Sequence, residues 1–195
     1  MSPAVLVGRI GAETLVMNPR EVALRLGCPA DTVASADACL KELREAVLCR
    51  YAACRLPVSH PAEGTTDLGF GVLPSFDLVK NLGDCREAFL LAVTLGAGVD
   101  RLLLRLSHLS PARHFITDAL ASAMAEAACD MAEAAVKGSL SCRPRYSPGY
   151  GDLPLSVQQP LLARLDASRR IGVTLGDALL MSPSKSITAI IGILP

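Results

Sequence analysis

The sequence lacks tryptophan, has only three tyrosines and four phenylalanines, and carries no excess charge, because 19 basic residues balance 19 acidic ones. Zero net charge gives no reason to expect a nucleic acid backbone or an anionic membrane as a partner. The longest apolar stretch, residues 88–99, is shorter than the about 20 residues that span a bilayer. The first residues lack the basic segment and apolar run of a signal peptide. We therefore expect a cytoplasmic protein that binds neither nucleic acid nor membrane.

The seven cysteines form an odd set, and no two of them stand in a Cys-x-x-Cys motif. Several fall among apolar residues, which is typical of buried thiols in a reducing compartment. The three histidines do not combine with cysteine pairs at the spacing of a zinc site. We expect free thiols and no bound metal.

The length of 195 residues and the apolar fraction of 51% predict a single domain over residues 1–195. A helix is predicted after Asn18 as the capping residue, with Pro19 at its first position, Glu21 completing a capping box and Gly27 at its end. Periodicity and capping signals predict further helices at residues 31–54, 75–83, from about 99, and 111–136. Strands are predicted at residues 55–59, 68–73, 87–95, 171–175 and 187–194. This order favours an α+β fold, with helices packed on a twisted, mainly antiparallel sheet.

Residues 145–154 concentrate an arginine, two tyrosines and two glycines in a short segment. The guanidinium of Arg145 can bind a carboxylate through two parallel hydrogen bonds. The Pro148-Gly149 backbone leaves its amides and carbonyls accessible to a heterocycle. The segment is either a binding loop for a small polar ligand or a surface turn with a solvated arginine.

The pattern Arg-x-x-Pro-Gly-Tyr at residues 145–150 resembles the S-adenosylmethionine-binding motif of the methionine synthase activation domain. Stretches similar to those of the family's stand-alone members follow in the same order at residues 155–159, 171–175 and 181–186. Upstream segments at residues 80–82, 94–101 and 118–127 also resemble the family pattern. The resemblance covers roughly residues 18–193 and implies an activation-domain-like fold.

The resemblance also implies a role for individual residues in binding S-adenosylmethionine. Arg145 is expected to bind the ligand's carboxylate, and Glu126 its α-ammonium group. The adenine is expected to meet the backbone of the loop, and Tyr150 to close the pocket; the loop residues are Tyr146, Ser147, Pro148 and Gly149. The family has a further acidic contact that we cannot align here, and Glu13 and Glu21 are the candidates. Pro160 is expected to kink or split the helix that follows the motif.

The sequence lacks the Asp-x-His-x-x-Gly motif of a cobalamin-binding domain. The resemblance therefore implies a partner, a methionine synthase subunit that carries cobalamin. It further implies that the chain supports reductive remethylation of cob(II)alamin on that subunit, with an electron from a flavodoxin-like donor. Orientation of two cofactors requires no catalytic side chain from this chain.

Three other interpretations stay open at this point. The chain could be a regulatory module that senses S-adenosylmethionine, or the reactivation partner of another corrinoid methyltransferase. Ser182-x-x-Lys185 also matches the short motif of serine acyl-transfer enzymes, in which a lysine activates the serine. That motif's usual companions, Ser-Asp-Asn and Lys-Thr-Gly, are missing.

Overall fold

A four-stranded antiparallel sheet forms the centre of the molecule. In the computed structural model, which describes residues 4–29, 31, 33 and 35–195, its strands are β1 (Leu6–Ile10), β2 (Cys49–Pro57), β5 (Glu87–Thr94) and β8 (Ser186–Ile193), in the order β1-β2-β5-β8. All three pairings are antiparallel, and Leu90 of β5 lies opposite Cys54 on one side and Ile190 on the other.

The central strand β5 is apolar at nearly every position because both faces of the sheet are covered. Alternate side chains enter two separate cores. Phe89, Leu91 and Val93 pack into one, and Ala88, Leu90 and Ala92 into the other. This explains why residues 87–95 show a continuous apolar run instead of an alternating pattern.

The first core lies between the sheet and four helices, α1 (Pro19–Leu26), α2 (Ala36–Ala46), α4 (Ala97–Leu109) and α5 (Pro111–Lys137). Helix α5 is 27 residues long and begins after Ser110, whose Oγ accepts a hydrogen bond from the Arg113 N–H. The small side chains of α5 allow the helix to lie close to its neighbours. The buried alanines of α5 are Ala119, Ala121, Ala123, Ala125, Ala127, Ala128 and Ala132.

The opposite face of the sheet is covered by shorter elements. These are the hairpin β3 (Thr65–Asp67) and β4 (Val72–Pro74), and helices α3 (Phe76–Leu82), α6 (Gln158–Leu165) and α7 (Ala167–Ile171). A second hairpin, β6 (Thr174–Leu175) and β7 (Met181–Ser182), leads into β8. The fold is α+β, as predicted, with helices on both faces of an antiparallel sheet.

Helices with strong capping signals were predicted closely. Helix α1 begins after Asn18, whose Oδ1 accepts from the Arg20 N–H, and ends at Gly27 in the left-handed region. Glu21 does not complete a capping box, because its carboxylate pairs with Arg25 one turn later. Helix α3 also begins and ends as predicted, since Ser75 Oγ accepts from the Leu78 N–H and Gly83 follows the last turn.

Three predicted elements were wrong. The helix predicted over residues 31–54 ends at Ala46, and residues 49–57 form β2, because pairing with both β1 and β5 outweighs the helical spacing of the apolar residues. Residues 32 and 34 of that prediction lie outside the described part of the chain. The strand predicted at residues 68–73 is mostly the turn of the β3-β4 hairpin. Residues 171–175 contain the end of α7 and only a two-residue strand.

Pro160 does not break helix α6. It is the third residue of the helix, within the first turn, where the backbone N–H has no partner in the helix. The helical segment is interrupted instead at Asp166, which adopts a left-handed conformation between α6 and α7.

All seven cysteines are free thiols, and five of them are buried. Burial raises the pKa of Cys49 to about 11, so this thiol stays neutral at physiological pH. Within the described ranges, no group of His, Cys, Asp and Glu side chains is arranged to hold a metal ion. None of the helices in these ranges is long and apolar enough to cross a membrane.

Candidate functional site

A cavity of about 400 Å³ lies where the 145–150 loop meets α5, α6, β7 and the start of β8. This volume is within the range typical of small-molecule sites. Six of the seven residues predicted to bind a ligand line it: Glu126, Arg145, Tyr146, Ser147, Pro148 and Tyr150. Five further lining residues were not predicted: Gln158, Met181, Ser186, Ile187 and Thr188.

The 145–150 loop is attached to the outer edge of β8. The Tyr146 N–H donates to the Ile190 carbonyl, and the Ile190 N–H donates back to the Tyr146 carbonyl, both at 2.8 Å. Two reciprocal backbone bonds fix the residue next to Arg145 on the rigid sheet. The loop therefore presents its side chains from a fixed backbone position.

Gly149 is the predicted residue that does not line the cavity. It has a φ of 90°, a conformation that favours glycine, and its N–H donates to the Leu153 carbonyl at 2.9 Å. Its contribution is to turn the chain so that Tyr150 comes to the mouth of the cavity. The Tyr150 side chain is 66% exposed there, which leaves it free to pack over a ligand.

Asp152 connects the end of this loop to helix α3. Its carboxylate accepts hydrogen bonds from the Phe76 N–H at 2.7 Å and the Asp77 N–H at 3.2 Å, and also from the Ser75 hydroxyl. The hydrogen bond from Ser75, together with those from the two backbone amides, lowers the pKa of Asp152. The loop is thus held at one end by β8 and at the other by the first turn of α3.

Arg145 is surrounded by three carboxylates of helix α5. Its Nη2 lies 3.0 Å from Glu126 Oε2, and its Nη1 contacts both Asp130 and Glu133, the latter at 3.3 Å. These acidic residues lie four and three positions apart and therefore share one face of the helix. Burial lowers the pKa of Arg145, but its hydrogen bond to the Asp130 carboxylate and the surrounding negative charge outweigh burial, so the pKa is raised and the side chain stays cationic.

The ion pairs also leave the Arg145 and Glu126 side chains partly accessible. They are 28% and 33% exposed, respectively, and both reach the wall of the cavity. Behind them, burial raises the pKa of Cys129 to about 12, so this thiol adds no charge. A fixed cation and a fixed anion side by side match the two charges of an amino-acid end group.

The comparisons with known proteins rest on structure alone. Neither the profile of any protein family nor the sequence of any curated protein matches the chain. A crystal structure of the MetH reactivation domain bound to AdoHcy is similar, with a TM-score of 0.72 and 14% identity over 97% of this chain and 78% of that one. The chain has the fold of that reactivation domain. At this level of identity, the similarity shows the fold alone.

Three of the unpredicted lining residues lie in segments that the sequence analysis had singled out, although not as individual site residues. Gln158 belongs to the 155–159 stretch, and Met181 and Ser186 are the end residues of the 181–186 stretch, two of the stretches on which the expected resemblance to the activation domain was based. Single residues could not be chosen there, because which side chains face the cavity depends on how α6 and β7 pack on the sheet. Neither Glu13 nor Glu21 lines the cavity.

The Ser182-x-x-Lys185 motif is engaged in structural contacts. Lys185 Nζ donates to Ser122 Oγ at 2.9 Å and lies 2.8 Å from Asp118, both on α5. The Ser184 N–H donates to Asp100 of α4 at 3.0 Å. The lysine side chain is directed to a helix, where it fastens the segment before β8.

Proposed function

We propose that this chain binds S-adenosylmethionine or S-adenosylhomocysteine in the cavity beside the 145–150 loop. The observation that carries the proposal is the pairing of Arg145 with Glu126 at 3.0 Å in the cavity wall, beside a loop whose sequence resembles the ligand motif of the activation domain. The fold shared with a domain that was crystallised with AdoHcy supports the same ligand class.

The residues present fit such a ligand. Arg145 binds the carboxylate of the methionyl end, and Glu126 accepts hydrogen bonds from its α-ammonium group. Pro148 and Ile187 supply apolar surface for the nucleoside, and Ser186 and Thr188 supply hydroxyls at the same wall. Tyr150, exposed at the mouth, packs over the ligand and reduces its contact with water.

The charge around Arg145 favours a ligand with a positive sulfur. Glu126, Asp130 and Glu133 outnumber the nearby cations, Arg145 and Lys137, which pairs with Glu133 at 3.1 Å. An excess of negative charge attracts a cationic ligand. S-adenosylmethionine, whose sulfonium supplies an activated methyl group, is therefore the preferred ligand of the two.

We further propose that the chain supports reductive remethylation of cob(II)alamin carried by a separate methionine synthase subunit, with a flavodoxin-like electron donor. This step rests on the resemblance of the ordered motifs and on the shared fold. The role of this chain is to bind and orient the methyl donor so that its sulfonium is accessible to the partner's corrin. The open side of the cavity, next to Tyr150, is where that access is expected.

Isothermal titration of the purified chain tests the first proposal. Saturable binding of S-adenosylmethionine and S-adenosylhomocysteine is expected, with no binding of ATP, which carries the same nucleoside but no amino-acid end. Equal binding of ATP would contradict the roles of Arg145 and Glu126. Absence of binding by all three would contradict the proposal itself.

The second proposal is tested with a cobalamin-loaded methionine synthase subunit in the cob(II) state. Addition of this chain, S-adenosylmethionine and reduced flavodoxin is expected to restore the methylated cofactor. The absorbance spectrum of the cobalamin measures this change. The Arg145→Ala variant serves as the matched control. Ligand binding without any effect on the partner would indicate a sensor of S-adenosylmethionine and would contradict the reactivation role.

A further inference from the structure

Gln158 stands out among the residues that line the cavity. It is the first residue of α6, and its side chain is only 6% exposed. Buried glutamines are uncommon, because the amide must exchange its hydrogen bonds with water for bonds inside the protein.

The Oε1 atom of Gln158 has not made that exchange. It is buried and accepts no hydrogen bond from any residue that the structure describes. Among the described residues, four other buried side-chain atoms are also without a hydrogen-bond partner, but none of them belongs to a residue that lines the cavity. These atoms are Arg50 Nε, Asn81 Oδ1, Thr117 Oγ1 and Arg143 Nε. Buried polar atoms are nearly always satisfied, so this unsatisfied acceptor, on a residue that lines the cavity, is the side-chain atom best suited to accept from a donor on a ligand.

We infer that Gln158 recognises the amino-substituted edge of the adenine ring. The inference rests on the proposed ligand class, whose hydrogen-bond donors are the α-ammonium group, the ribose hydroxyls and the adenine amino group. Glu126 provides an anionic partner for the first, and the hydroxyl oxygens of Ser186 and Thr188 are acceptors for the second, since the Ser186 hydroxyl itself donates within the protein, to the Pro183 carbonyl at 2.7 Å. The adenine amino group is the remaining donor, and the Gln158 amide is the uncharged side-chain acceptor for it, beside the loop backbone at residues 146–149 that is expected to meet the rest of the adenine.

The chemistry of a carboxamide matches this edge. Adenine presents an N–H donor beside a ring-nitrogen acceptor in one plane, and a glutamine amide presents an acceptor beside a donor in one plane. Two parallel hydrogen bonds are the usual result of this pairing. Gln158 also lies eight positions after Tyr150 in the chain and lines the same cavity as Pro148.

Two ligand analogues and two variants test the inference by isothermal titration. The first analogue is S-adenosylhomocysteine with hydrogen in place of the adenine amino group, and the second lacks the ribose 2′-hydroxyl. Gln158→Leu removes the amide at similar volume. Gln159→Leu, at the exposed neighbouring position, is the matched control.

The wild-type chain is expected to bind the analogue without the amino group about tenfold more weakly than S-adenosylhomocysteine. Gln158→Leu is expected to bind these two ligands with equal affinity, whereas Gln159→Leu keeps the wild-type difference. The 2′-deoxy analogue is expected to lose the same factor in the wild type and in Gln158→Leu. If the 2′-deoxy analogue loses affinity in the wild type but not in Gln158→Leu, Gln158 contacts the ribose hydroxyl, and the assignment to the base is overturned.

The wild-type measurements decide the matter even if Gln158→Leu does not fold. Equal wild-type affinity for ligands with and without the amino group would overturn the inference while leaving the proposed function intact. No binding of S-adenosylhomocysteine by the wild type would overturn both.

Discussion

The Nη2 atom of Arg145 lies 3.0 Å from the Oε2 atom of Glu126, although the two residues are 19 positions apart and lie on a loop and a helix, respectively. Each partner reduces the cost of desolvating the other, so both charges can remain at a partly enclosed cavity wall. We propose that ligand binding exchanges part of this mutual contact for contacts with the two charges of an amino-acid end group.

Arg145→Ala is expected to weaken binding of S-adenosylhomocysteine by about 10- to 100-fold, because a charge-assisted hydrogen bond to the carboxylate is lost. The measurement is isothermal titration. Arg143→Ala is the matched control, since Arg143 lies two residues away, pairs with Asp84 and does not line the cavity. Unchanged affinity in Arg145→Ala would show that the guanidinium does not contact the ligand.

Glu126→Gln is expected to weaken binding of S-adenosylhomocysteine by about tenfold, because the α-ammonium group loses its anionic partner. Binding of methylthioadenosine, which has no amino-acid end, is expected to stay unchanged. Asp130→Asn serves as the control, because Asp130 also contacts Arg145 but is 65% exposed and does not line the cavity. An equal loss in both variants would mean that the carboxylates act only by holding Arg145 in place.

Asp152→Asn is expected to lower stability at pH 7 and to weaken ligand binding, because Asp152 connects the 145–150 loop to α3. The pKa of Asp152 is lowered in the folded state, so its carboxylate stabilises the fold above the ordinary Asp pKa of about 3.9. That contribution is lost as the pH falls through the lowered pKa. The difference in urea midpoint between the wild type and the variant should therefore decrease from pH 7 to pH 3.

A second exposed aspartate, Asp177, provides the comparison for this pH series. Asp177→Asn is expected to give the same urea midpoint as the wild type at both pH values. A constant difference between the wild type and Asp152→Asn across the range would contradict the role of the Asp152 charge.

Gly98→Ala is expected to destabilise the fold by about 1–3 kcal/mol, because a Cβ at this position would lie 2.1 Å from the Ala46 carbonyl oxygen at the contact between α2 and α4. Urea denaturation measures the effect. Gly176→Ala is the matched control, since its Cβ would approach its nearest neighbour only to 3.7 Å. Ligand affinity of the folded protein is expected to be unchanged in both variants, because neither glycine lines the cavity.

Local signals in the sequence were sufficient for several elements. Helix α5 begins after Ser110, as its capping serine and proline predicted, and ends at Lys137, one residue beyond the predicted end. The buried strand at Glu87–Thr94 was recognised from its apolar run. These features depend on residues within one or two turns of each other, so a short stretch of sequence is sufficient to predict them. The segment of the candidate site was found in the same way, from the composition of residues 145–154.

The tertiary structure decided the features that depend on distant contacts. Residues 49–54 have the spacing of a helix, yet they pair with two strands and form β2. The carboxylates that surround Arg145 and the unsatisfied amide of Gln158 are likewise set by the packing of α5 and α6 against opposite faces of the sheet. The sequence by itself determined where the capped helices α1, α3 and α5 begin and which loop lines much of the cavity. The arrangement of the side chains around the cavity required the fold, because the free energy of such contacts depends on elements that are far apart in the chain.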